Sequence, residues 1–372
     1  MTAPDSGETY ALAIDAMGGD GAPDMVVAGI EIAAERHPGA RFLLVGDEAR
    51  LAPLLARHRR AAGICTIRHA PQMIGNDTKP TAALRVRGAS MRVAIDAVAA
   101  GECSGVVSAG NTGALLALAQ IVIKTMPGIS RPAMAAIGPS ARGDVVMLDL
   151  GANLSSDARN LVEFAVMGDV FARTVLGLTA PSIGLLNVGS EELKGDDRVR
   201  QAAEILRQSH IGPQFHGFVE GHDITAGTTD VVVTDGFTGN VALKTGEGAL
   251  KLIGDMLRQV FTGSLAGRLA YVLARPSLER LREWLDPRRY NGAVLVGLNG
   301  VVVKSHGGTD AQGFAHALDV AMDMVVHRFN DRIREGLLRI HALGPMSAEL
   351  ARSAKPASGG PDADGARLAT AQ

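Results

Sequence analysis

Cysteine is nearly absent. Cys65 and Cys103 stand alone among 372 residues, which excludes a disulfide framework or a zinc ribbon and points to a reducing, cytoplasmic setting. Long apolar runs are missing too: Gly or a charged residue breaks every apolar stretch within about ten residues, well short of the ~20 that a membrane-crossing helix needs. The N-terminus lacks the basic start and apolar core of a secretory signal. There is no basic excess, since 37 Lys and Arg face 39 Asp and Glu for a formal charge of -2. Nothing therefore draws the whole molecule to nucleic acid, and an anionic partner has to be met by a local basic patch.

The chemistry-bearing motifs that are missing narrow the field further. There is no G-x-S-x-G elbow, and neither cysteine lies in a nucleophile motif, which argues against an acyl-enzyme. The G-x-G-x-x-G and G-x-x-x-x-G-K-[ST] patterns are absent, so no dinucleotide or Walker-type site is expected. None of the ten histidines is followed five positions later by aspartate, and histidines and carboxylates lack metal-ligand spacing. No metal and no cofactor is expected.

What the chain does have is an alternation. Short β-branched runs at 10–14, 41–45, 105–108, 144–148, 182–186, 230–234 and 300–303 are separated by Ala/Leu/Val stretches of helical length. This is the pattern of a parallel sheet covered by helices on both faces. Residues 344–372 are rich in Ala, Ser, Gly, Pro and Asp and cannot repay their ordering entropy by burial, so a disordered tail is expected there. Residues 1–9 read as a flexible N-terminus, which leaves 10–343 as the folded domain, with 258–290 within it.

Several strand candidates run into a glycine turn and then a helix, which is where open parallel sheets place their ligands. In the loop 15–23, Gly18 and Gly19 let backbone N–H groups converge on an anion at a helix start. Loops 108–113 and 234–240 share the pattern V-V-[ST]-x-G-x-T-G with their preceding strands, and add Asn111, Thr112, Thr238 and Asn240. Each of these residues alone is expected to cap its helix; several such loops at one sheet edge favour an anion such as phosphate. Lys194 lies in a glycine-bounded turn at 187–195, where it is either a solvated surface lysine or a point cation for a developing oxyanion. Lys304 and His306 follow the last strand candidate as an additional candidate site, His306 more in the manner of a structural hydrogen-bonder than a catalyst.

Residues 258–290 carry Arg268, Arg275 and Arg282 among Leu265, Leu269, Leu273, Leu281 and Trp284. The apolar residues recur at helical period, which suits an amphipathic arm, whether packed on its own domain, on a second copy or on a membrane surface.

Together the segments ALAIDAMGGDGAPD (11–24), VVSAGNTGALLALA (106–119), LDLGANL (148–154), LLNVGSEELKGDD (185–197), DVVVTDGFTGNVALKT (230–245) and LDPRRYNGAVLVGLNGVVVKSHGGTDAQGFAHAL (285–318) resemble the PlsX-type phosphate acyltransferases of bacterial phospholipid synthesis. The resemblance runs in order from about residue 10 to residue 326. It implies an αβα sandwich similar to isocitrate and isopropylmalate dehydrogenases, a homodimer, and transfer of a fatty acyl group from acyl carrier protein (ACP) to inorganic phosphate. The product then goes to a membrane acyltransferase that acylates glycerol 3-phosphate. Lys194 and Asn240 are the implied catalytic residues.

On that reading Gly18, Gly19, Asn111, Thr112 and Thr238 hold phosphate, Lys194 and Asn240 stabilise the oxyanion, and Arg268, Arg275 and Arg282 dock the acidic carrier. Peripheral contact with the inner membrane face is the accompanying expectation. The competing readings are phosphotransacetylase-like transfer from acyl-CoA, a fold-related dehydrogenase, and a non-catalytic binding protein.

Overall fold

A computed structural model describes residues 11–208 and 214–342. The expected flexible N-terminus and disordered tail lie outside the described residues. In chain order the elements are β1 (Ala11–Asp15), α1 (Asp24–Arg36), β2 (Arg41–Gly46), α2 (Glu48–Leu55), α3 (Arg59–Ile64), β3 (Cys65–His69), α4 (Pro80–Ala83), α5 (Ser90–Ala99), β4 (Gly105–Ser108) and α6 (Thr112–Val122). β5 (Ala133–Ser140), β6 (Gly143–Leu148), α7 (Ala158–Val175), β7 (Ser182–Leu186), α8 (Asp197–Gln208), β8 (Gln214–Val219), α9 (Gly221–Ala226) and β9 (Val231–Val233) follow. The chain closes with α10 (Gly236–Thr262), α11 (Leu265–Trp284), a 3-10 turn (Pro287–Tyr290), β10 (Ala293–Val296), β11 (Val301–Lys304), α12 (Ala311–Val326) and α13 (Phe329–Ala342).

The strands form one sheet in the order β3-β2-β1-β4-β11-β10-β5-β6-β9-β7-β8. Alternate residues of each strand enter opposite cores, as a pleated strand requires. Ile14, Val107 and Val303 pack with α1, α7 and α12 on one face, and Ala13, Val106 and Val302 pack with α5 and α6 on the other. The result is the expected three-layer α/β sandwich.

The sheet departs from the expected all-parallel pattern at its centre. β10 is antiparallel to both β11 and β5, and β5 is antiparallel to β6. The two flanking blocks are each parallel, but they run in opposite senses: β2, β1, β4 and β11 one way, β6, β9, β7 and β8 the other. Their carboxyl ends therefore open on opposite edges of the sheet. A parallel sheet would have brought all the glycine loops to one edge.

Local sequence sets most helix starts. Asp47, Asn111, Asp157, Asp235 and Asp310 each accept a backbone N–H at the start of α2, α6, α7, α10 and α12, the usual remedy for the orphan donors of a first turn. The two V-V-[ST]-x-G-x-T-G segments diverge here. The cap is Asn111 in the first and Asp235 in the second, two motif positions apart, so the shared pattern does not produce the same turn.

Asp149 is the polar centre of the second block. It is fully buried and accepts from the backbone N–H groups of Met134, Gly151, Ala152 and Asn153 and from the Asn153 side-chain amide, at 2.7–3.1 Å. α10 leans on this knot: a Cβ added at Gly239 would sit 1.9 Å from the Asp149 carbonyl oxygen. Asp149→Ala leaves the buried N–H groups of Met134 and Asn153 unpaired, at about 1–3 kcal/mol each. A stability loss of about 3 kcal/mol or more is expected, read as a lowered urea midpoint; an unchanged midpoint would contradict it.

Candidate active site

At the first edge, the carboxyl ends of β1, β4 and β11 deliver three loops to one place. Asp15 pairs in register with Ser108, and Ser108 with Lys304. In parallel strands, residues in register point to the same face, so these three polar side chains form one row across adjacent strands. All are buried. The Asp15 carboxylate accepts from Ser90 Oγ at 2.6 Å, Ser108 Oγ at 2.7 Å and the Met17 N–H at 3.3 Å. Burial pushes its carboxyl above the usual carboxylate range, against the lowering by those hydrogen bonds.

The loops above the row touch backbone to backbone. A Cβ on Gly18 would lie 2.5 Å from Asp15 Oδ2 and 2.7 Å from the Gly110 nitrogen. Gly19 has φ +104°, the left-handed region that favours glycine, and its Cβ would meet that of Ala109 at 2.9 Å. Asp20 N–H donates to the Gly307 carbonyl at 2.9 Å, so the third loop closes on the first. Asn111 is occupied structurally: its Oδ1 caps α6 through Ala114, and its Nδ2 donates to the carbonyls of Gly75, Asn76 and Thr78. Thr112 is exposed at the first turn of α6. His306 is exposed as well; its backbone N–H donates to Asn291 Oδ1 and its Nδ1 accepts from Gly308.

At the opposite edge, the ends of β6, β7 and β9 gather Asp149, the 187–198 loop and the start of α10. Lys194 is held in a turn that Asn187 closes by donating to the Gly189 and Lys194 carbonyls. Its side chain is 55% exposed, and its Nζ lies 3.7 Å from Glu191 Oε1. Asn240 is exposed on α10 beside Gly151. Thr238 Oγ1 donates to Asp235 Oδ2 at 2.9 Å, so its hydroxyl serves the helix cap. Arg198, which the sequence reading passed over, spans this edge by bonding Asp196 and the Ser156 carbonyl. That pairing holds the Asp196 carboxyl down at about 2. Leu154, Val188, Leu193 and Phe237 are exposed apolar residues on the segments that follow β6, β7 and β9 at this edge.

Residues 10–332 match the family model described as fatty acid synthesis protein. A phosphate acyltransferase from Granulibacter bethesdensis is 69% identical over 366 residues, covering 98% of this chain and 97% of that protein. The chain belongs to the PlsX family of phosphate acyltransferases. A second phosphate acyltransferase, from Gluconacetobacter diazotrophicus, is 72% identical over 91% of each chain. Solved phosphotransacetylases share the fold at low identity. The Streptococcus pyogenes structure matches at TM-score 0.58 and 18% identity, and the EutD phosphotransacetylase from Staphylococcus aureus at 0.55 and 17%; each comparison covers 86% of this chain and 95% of the other.

For a PlsX phosphate acyltransferase, the sites read from sequence thus divide into two sets. Gly18, Gly19, Asn111, Thr112, Lys304 and His306 lie at the first edge, whereas Lys194, Thr238 and Asn240 lie at the second. No hydrogen bond among the described residues joins the two sets. Residues 258–290, expected as an arm, hold the end of α10, all of α11 and the 3-10 turn. α10 leaves from the second edge at Gly236, and the chain returns to the first at Asn291, which bonds Ser305. Arg268, Arg275 and Arg282 are exposed on α11 at seven-residue spacing, close to two helical turns, and so lie along one face. Arg275 is tied to Glu279.

Proposed function

We propose that this acyltransferase moves a long-chain fatty acyl group from ACP to inorganic phosphate, giving acyl phosphate and free carrier. The observation that carries the proposal is the first edge, where glycine backbones of two loops meet beside the start of α6, the kind of place that suits a small anion. Gly18, Gly19 and Thr112 take the phosphate oxygens, and Asn111 holds the shape of the loop. Phosphate needs alignment and desolvation more than activation, so positioning is the main gain. The thioester supplies the driving force. Its thiol leaves with a pKa near ~8.5, which removes the need for a strong acid.

Lys194 and Asn240 stabilise the charge that builds on the thioester oxygen, with the apolar ground of Leu154, Val188, Leu193 and Phe237 receiving the acyl chain. The arginine face of α11 docks the acidic carrier. Direct transfer places phosphate and thioester in one ternary complex, yet the two sets open on opposite edges of one sheet. The reaction therefore needs a homodimer in which one copy brings its Lys194 edge to the partner's Gly18 edge. Acyl phosphate then passes to a membrane glycerol-3-phosphate acyltransferase. No helix among the described residues is long and apolar enough to cross a membrane; the amphipathic arm supplies any peripheral contact with the inner membrane face.

The test is hydroxylamine trapping of acyl phosphate from palmitoyl-ACP and, separately, palmitoyl-CoA. Hydroxamate that requires both phosphate and the ACP thioester supports the proposal. Preference for acyl-CoA supports the phosphotransacetylase-like alternative, and no hydroxamate from either rejects both.

A further inference from the structure

Lys304 is an expensive residue to keep where it is. It is 9% exposed at the last rung of β11, between hydrophobic layers. Its Nζ donates to the carbonyls of Ala109 and Ser305, and it takes part in no ion pair among the described residues. An ammonium has three donors, so two carbonyls leave it short of both a hydrogen bond and a counter-charge. Removing a cation from water without a paired anion costs several kcal/mol, and a methionine of similar length would pack there without that cost.

The surroundings do not neutralise it. Asp15, two strands away in the same row, already receives two serine hydroxyls and a backbone N–H. Asp20, on the loop after β1, is exposed and bonded by Asn76. β4, α5 and α6 bring the uncharged Ser108, Ser90 and Thr112, the Arg92–Asp96 pair of α5 is closed on itself, and exposed His306 lies two residues on. Burial pushes the Lys304 ammonium down to about 8, against the opposing pull of Asp15 and Asp20. Through the Ala109 carbonyl the same Nζ is tied to the turn that faces Gly19.

We infer that Lys304 is the counter-charge of the phosphate site, standing beneath the 18–20, 109–112 and 305–308 loops so that a bound phosphate completes a cation the fold leaves unpaired. This rests on the reading that inorganic phosphate is the acyl acceptor. The glycine loops supply shape and N–H donors, and Lys304 supplies the only buried cation at that edge among the described residues.

The experiment is equilibrium binding of inorganic phosphate to the full-length protein by calorimetry, comparing wild type with Lys304→Met and Lys304→Arg, with far-ultraviolet circular dichroism as the check on folding. Lys304→Met is expected to weaken binding about tenfold to a hundredfold, the range of one charge-assisted hydrogen bond. Lys304→Arg keeps the charge but cannot seat a planar fork in a site built for a point cation, so it recovers only part of the affinity. Wild-type affinity should fall as pH rises through about 8, because the cationic form is lost above that value, while Lys304→Met shows no such fall. Phosphate only gains negative charge as pH rises, so its own titration does not mimic the fall. Equal affinity and equal pH dependence in wild type and Lys304→Met would overturn the inference alone. No phosphate binding by wild type at millimolar concentration would overturn the reading beneath it.

Discussion

Lys194→Ala is expected to lower turnover about a hundredfold to a thousandfold, the loss that follows removal of one preorganised oxyanion donor, with thermal stability close to wild type. The separation is possible because Lys194 is half exposed and its one charged neighbour, Glu191, is 3.7 Å away, a surface pair worth about 0–1 kcal/mol. The loop keeps its form without the lysine side chain, since Asn187 closes it through backbone carbonyls. Phosphate binding in the absence of carrier is unaffected. Steady-state thiol release and a melting curve on the same preparation check this; turnover within twofold of wild type would remove Lys194 from the chemistry.

At subsaturating phosphate, co-expressed Lys194→Ala and Lys304→Met subunits are expected to show more activity than either homodimer. If each site takes Lys304 from one copy and Lys194 from the other, half of randomly assembled dimers are mixed, and each mixed dimer has one doubly defective site and one intact site. About a quarter of wild-type activity returns, as two-fold symmetry of the exchange requires. If instead both lysines of a site belong to one chain, every site in the mixture keeps a defect and activity stays at the level of the parents. At subsaturating phosphate the two outcomes differ several-fold or more, so a tagged mixed dimer separated from both parents decides between them. The prediction rests on direct transfer in one ternary complex and on strand direction: β4 and β9, which end in similar sequences, point opposite ways in one sheet.

That direction was the part hidden from the sequence. The seven strands expected from β-branched runs are present as β1, β2, β4, β6, β7, β9 and β11. β3 and β8 escaped notice because they are the edge strands, half exposed and therefore mixed in composition, Cys-Thr-Ile-Arg-His and Gln-Phe-His-Gly-Phe-Val. β5 reads as Ala-Met-Ala-Ala-Ile-Gly-Pro-Ser, poor in strand formers, and β10 is a four-residue run inside a glycine-rich stretch. β5 and β10 are the two strands that reverse the sheet. Missing them made the glycine loops look like neighbours.

The site was legible in the same uneven way. Gly18, Gly19 and Asn111 stood out because turns and caps are written in short local patterns. The row of Asp15, Ser108 and Lys304 was not visible, since the three residues lie 93 and 196 positions apart and meet only through strand register. Asp149 sat within a matched segment, but its five donors come from two separate stretches of chain. Thr238 shows the converse: its place in the pattern suggested a ligand, and its hydroxyl belongs to Asp235.

The measurement that bears most directly on direct transfer is thiol release from palmitoyl-ACP by the full-length enzyme, with and without inorganic phosphate, followed by the mass of the intact protein. Direct transfer predicts release only when phosphate is present and an enzyme mass that never gains an acyl group. Stoichiometric release without phosphate, accompanied by an acylated enzyme, would contradict it.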